Sequence, residues 1–204
     1  MAVAVSDLGT VEDTGSDNQS NFSFGSFGAE AGDRYLIALI TARDSFSNDF
    51  TATAVTIGGV SASLLQTSNP DTTTQSVVAI AAVPTGASGS VVADWSEAVA
   101  SDQLCTLLRV TGLGSATPYD TDAQVSDGNN TTLSGTIDCE ANGLVIAVAA
   151  VSGTRTFTPS LANEAADQAA SDIGHSHSVS WEIFASAQTA LAVSATPSAI
   201  ASDK

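Results

Sequence analysis

Short apolar runs rich in Val, Ile, Ala and Thr alternate along this chain with clusters of Gly, Asn, Asp, Ser and Pro. RYLIALITA (34–42) is apolar at both alternating parities, which predicts a central strand covered on both faces. TATAVTI and VSASLLQ flank Gly58-Gly59, the signature of a two-residue hairpin. QSVVAIAAV (75–83), PTGASG and SVVADW (90–95) read as a second hairpin with a longer turn. LCTLLRVTGL (104–113) is a further strand. TTLSGTID (131–138) and GLVIAVAAV (143–151) flank a turn at Asn142-Gly143, and SVSWEIFA (178–185) and TALAVSA (189–195) close the series.

Around ten strands at short spacing predict an all-β, antiparallel β-sandwich of jelly-roll-like kind, folded as one domain over residues 1–204. The polar segment 6–21 reads either as part of an extended N-terminal arm (residues 1–21) or as the loop between two edge strands. PSLANEAADQAAS (159–171) is the one helix candidate, with a long surface loop as its alternative.

Composition sharpens this picture. Hydrophobic residues make up 43% of the 204 and aromatics only 5%, so the core is built from Val, Ala, Leu and Ile. Asp and Glu number 22 against 5 Lys and Arg, a net charge of −17, and the sole lysine is Lys204. Such a surface repels nucleic-acid phosphates and anionic lipid headgroups, so neither is expected as a partner. High salt relieves the self-repulsion, which points to a saline source. The start, MAVAVSDLGT, lacks the basic and long apolar regions of a signal peptide. No run reaches the 18 or so apolar residues of a membrane span. Cys105, in an apolar run, and Cys139, beside a turn, read as buried or half-buried thiols, with nothing favouring a disulfide.

The candidate chemistry centres on HSHSVSWE. His175 and His177 are the only histidines, and Glu182 follows five residues after the second, the H-x-H-x4-E spacing of a metal-binding cupin. On a strand His175, His177, Val179, Trp181 and Ile183 share one face, while Glu182 takes the other with Ser176, Ser178, Ser180 and Phe184. The rest of the motif is missing. Ala169 and Thr189 occupy the two glycine positions, and no third histidine follows. The competing reading is two histidines entering the strand near a rim, with Val179, Trp181 and Ile183 continuing the buried face. Asp120, Asp122 and Asp127, in YDTDAQVSDGNN (119–130), form an acidic loop able to offer oxygens to calcium, without EF-hand spacing. No nucleophile elbow or phosphate loop occurs. Catalytic, cofactor-binding and metal residues are therefore all expected to be none.

The succession GDRYLIALITA, VTIGGVSASLL, VVAIAAVPTGASGSVVADWS, LLRVTGL and LSGTIDCEANGLVIAVAAV resembles small β-sandwich proteins encoded among the virion structural genes of tailed phages and prophages of alphaproteobacteria. The resemblance runs from about Gly32 to Ala195. It implies a non-enzymatic virion protein, foremost a capsid decoration or cement protein on the outer head surface. The implied partners are the major capsid protein or other virion proteins, and copies of itself, with a trimer favoured. The alternatives are a carbohydrate- or receptor-binding module of a tail or fibre, and a cupin-like metal protein.

Overall fold

The computed structural model describes residues 2–15, 17–43, 50–71, 74–99, 102–124, 132–171 and 174–198. Among them are fifteen strands in four antiparallel sheets. In chain order they are β1 (Ala4–Asp13), β2 (Gln19–Phe24), β3 (Tyr35–Arg43), β4 (Ala52–Ile57), β5 (Val60–Ser61), β6 (Ser63–Asp71), β7 (Thr74–Ala82), β8 (Gly89–Trp95) and β9 (Gln103–Thr111). Then follow β10 (Leu133–Cys139), β11 (Gly143–Ser152), β12 (Phe157–Pro159), β13 (Asn163–Ala169), β14 (His175–Phe184) and β15 (Gln188–Pro197).

The first nine strands build a four-stranded sheet, β2-β8-β4-β5, facing a five-stranded sheet, β1-β9-β3-β7-β6. The last six build two three-stranded sheets, β11-β14-β13 and β10-β15-β12. The antiparallel sandwich expected from the strand pattern is thus present, and it is extended to four stacked layers. The largest core lies between the four- and five-stranded sheets, where Phe22, Phe24, Ile57, Val91 and Trp95 meet Leu36, Ala38, Ile40, Ala79 and Leu107. A second core lies on the opposite face of the five-stranded sheet, where Ile37, Leu39, Ile80, Leu108 and Val110 meet Ile146, Val148, Ala166, Val179 and Trp181. Two smaller clusters, around Cys139, Val145 and Leu161 and around Ala149, Phe157 and Ala195, close the gap between the three-stranded sheets.

The doubly covered strand expected at 34–42 is β3. Its even-numbered residues pack on one neighbouring sheet and its odd-numbered ones on the other, and its interior seven residues are all buried. Gly58 and Gly59 both take positive φ (60° and 79°), and β4 pairs with β5 across them. That hairpin is brief, because the chain changes sheet at Ala62 and continues as β6 beside β7.

The other hairpin expected, across PTGASG, is not one. β7 and β8 belong to facing sheets, so the turn between them is an arch. The same holds across Asn142-Gly143, where β10 and β11 separate, and between β14 and β15. One arch is fixed by Arg34, which is buried and carries no carboxylate partner among the described hydrogen bonds. Its guanidinium donates to the carbonyls of Phe27, Gly28, Ala29, Val83, Thr85 and Gly86. A planar fork of five N–H groups suits a ring of carbonyls that no other side chain could satisfy together.

Two further expectations change. The segment 159–171 holds no helix. It contains edge strand β13, paired with β14 through Ala166↔Val179 and its neighbours. Its Ala, Glu and Gln residues favour helix locally, but docking Ala166 onto Val179 outweighs a propensity of a few tenths of a kcal/mol per residue. Residues 6–21 hold most of β1 and the start of β2, each paired along its length in a different sheet. Gly9, at φ 95°, sits in the β1 irregularity between Asp7 and Thr10, where Asp7 accepts its amide.

Candidate functional site

β14 runs through the middle of its sheet, between β11 and β13. The alternation expected from the sequence holds: the His175, His177, Val179 and Trp181 face lies against the five-stranded sheet. The direction of burial is reversed, however. Both histidines are 0% exposed, whereas Ile183 at the far end is 36% exposed. The pair is not at a rim. Burial is tolerated because the facing strands end their apolar rows in hydroxyls: Ile37 and Leu39 lead to Thr41 on β3, and Val110 and Leu108 lead to Thr106 on β9.

These hydroxyls and imidazoles form one continuous chain of hydrogen bonds. Thr41 Oγ1 lies 3.0 Å from His175 Nε2 and 3.0 Å from His177 Nδ1. His177 Nε2 lies 2.7 Å from Thr106 Oγ1, which is 2.8 Å from Thr10 Oγ1 on β1. Both nitrogens of His177 are thereby engaged, one as donor and the other as acceptor, with the threonine hydroxyls rotating to suit. Burial, and then the neighbouring His175, lower the His177 pKa to about 3, so its imidazole is neutral.

Around this chain the connection from β13 to β14 is pinned to the five-stranded sheet. Glu12 accepts the Ser171 amide, Asp102 accepts the Ser171 hydroxyl, and Arg43 donates to the Gly174 carbonyl. The layers built from β1–β9 and from β10–β15 therefore meet through an apolar half, at Val179 and Trp181, and a polar half, at the histidines.

Glu182 does not join them. It lies on the opposite face of β14 and accepts the Ala162 amide. A metal held by His175, His177 and Glu182 would have to gather groups from two faces of one strand and displace the threonines. Among the described residues no three His, Cys, Asp or Glu side chains are gathered as a metal would need.

Asp120 and Asp122 have a different task. Asp120 accepts the Asp138 amide, and Asp122 accepts the Thr136 amide, so the two carboxylates occupy backbone donors along the outer edge of β10. Gly135 permits this approach, since a Cβ there would run into the Asp122 carboxylate. Asp127 lies outside the described residues. Cys105 and Cys139 are both free and buried, in different cores, and burial raises both thiols; for Cys139, Glu140 adds to the effect.

Sequence reasoning missed a cleft between the two halves. It is about 420 Å³ and lies between β7 on one side and β10, β11 and the segment after β9 on the other. Its walls include Val78, Ile80, Leu113, Leu133, Ile146 and Val148. The signal available was the long apolar run of β11, whose pairing only the topology reveals. Compared with known protein families, curated proteins and solved structures, the chain matches none.

Proposed function

We propose that this chain is a non-enzymatic virion structural protein, displayed on the outside of a phage head as a decoration or cement protein. The observation that carries the reading is the fate of the two histidines. The only imidazoles in the chain are spent, fully buried, on tying two β-sandwich halves together. A protein that invests its scarce polar chemistry in rigidity is suited to withstanding load. The acidic balance of −17 supports an outer position, away from packaged DNA, and the strand succession from Gly32 to Ala195 supports the kinship with phage proteins. Its partners in this reading are the major capsid protein and further copies of itself, arranged as a trimer.

The test is mass spectrometry of purified particles, followed by thermal release of DNA from particles lacking the protein. Presence in the particle, with DNA release at lower temperature when it is missing, supports a cement role. Absence from particles overturns the reading. Presence with unchanged release demotes the protein to an accessory surface module.

A further inference from the structure

β11 is an edge strand. It pairs with β14 on one side through all ten of its residues, and no strand among the described residues pairs with its other side. Residues 144–152 line the cleft without a gap. Successive strand residues point to opposite faces, so a wall that includes both parities is the strand's edge, with its outward N–H and C=O groups. Folded proteins normally cover such edges. This one does so on β10, where Asp120 and Asp122 take up backbone amides, while among the described residues β11 beside it is left open.

One more strand beside β11 would sit about 4.8 Å from it, between two apolar walls. Val78 and Ile80 of β7 stand on one side, and Leu133 and Ile137 of β10 on the other. Among the described residues, the charged side chains lining the cleft are Asp120 and Asp122. A second copy of the chain is a poor occupant of this cleft, since it has only five Lys and Arg to set against Asp120 and Asp122, of which Arg34 and Arg155 are buried.

We propose that the open edge of β11 receives an extended segment of another protein as an added strand, apolar at successive positions and carrying Lys or Arg at the end nearest Asp120 and Asp122. Main-chain hydrogen bonds supply the attachment in strand addition, and the flanking walls and charges supply the selection. The inference stands whether or not the chain belongs to a virion.

The probe is a fluorescein-labelled peptide, acetyl-KKVAIAVSG-amide, titrated with the full-length chain while anisotropy is read. Saturable binding is expected, with hydrogen-exchange protection appearing in residues 144–152. A peptide N-methylated at alternate apolar residues should lose binding at least ten-fold, because its edge no longer donates. Asp120→Asn with Asp122→Asn keeps the oxygens that hold β10 and should remove most of the preference for KK over GG at the peptide start, about five-fold per ion pair at most. No saturable binding, equal binding of the N-methylated peptide, or protection confined to other strands would each overturn the proposal. So would protection of 144–152 that rises with protein concentration alone, which would make a second copy the occupant.

Discussion

His177 Nε2 on β14 lies 2.7 Å from the hydroxyl of Thr106 on β9, joining two sheets across 71 positions of sequence. With Thr41 bridging both histidines at 3.0 Å, the contact makes the boundary between the two halves partly polar, with both imidazoles fully buried. Such networks are costly when broken, because each orphaned group keeps its desolvation penalty.

Thr41→Val and Thr106→Val, both close in volume to the original, should therefore each destabilise the fold by about 1–3 kcal/mol in urea unfolding. Because both hydroxyls serve His177, the double variant should depart from additivity by about 0.5 kcal/mol or more. Strict additivity with small single effects would mean that the hydroxyls find other partners.

Stability should also fall with acid in a defined window. The folded pKa of His177, about 3, lies below the ordinary histidine value near 6.5 in the unfolded chain. The unfolded state thus takes up a proton that the native state refuses. The stabilisation is complete above pH 6.5 and is lost as pH falls toward 3, at up to about 1.4 kcal/mol per pH unit. Burial raises Glu164 and Asp167, whose effect has the opposite sign: native proton uptake adds stability as pH falls. The comparison is therefore between the wild-type chain and His177→Leu from pH 6.5 to 5. The variant should show the shallower loss, and equal slopes would mean that His177 does not set the acid sensitivity.

Arg34→Met should be among the most damaging single changes. It takes donors from six carbonyls, three in the arch between β7 and β8 and three in the connection between β2 and β3, at a cost on the order of 3–5 kcal/mol. Arg34→Lys keeps a charge but offers three donors in place of a planar fork, so it should rescue only part of the loss. Urea midpoints of the three proteins decide the order, and full rescue by Lys would contradict it.

Thiol labelling should separate the two cysteines. Cys105 is 0% exposed within the largest core and Cys139 is 6% exposed beside the β10–β11 turn, and burial raises both. A thiol reagent at pH 8 should reach Cys139 slowly in the native protein and Cys105 only on unfolding. Rapid native labelling of Cys105 would show that the core between the four- and five-stranded sheets opens easily.

Much of the architecture is legible in particular residues. The double apolar parity of β3 announced a strand covered on both faces, and Gly58-Gly59 announced the turn between β4 and β5. What residues such as Pro84, Gly86 and Asn142 could not announce is whether the flanking strands pair or face each other. A reversal of direction is local chemistry, whereas the choice of sheet depends on distant partners such as the Arg34 carbonyl ring. β13 was hidden for the same reason, since its alanines acquire strand character only against Val179. Alternation along HSHSVSWE placed the two histidines on one face and Glu182 on the other. The depth of that face depends on Thr41 and Thr106, far away in sequence.

The chain's only two histidines form a structural tie between its two halves. Long-range proton–nitrogen NMR of the imidazoles in the full chain, from pH 8 to 4.5 with and without added zinc, reads this tie at the ring nitrogens themselves. The His177 ring should stay neutral across this range, with nitrogen shifts of both histidines unmoved by the metal. A His177 titration near pH 6.5, or nitrogen shifts that follow zinc, would contradict it.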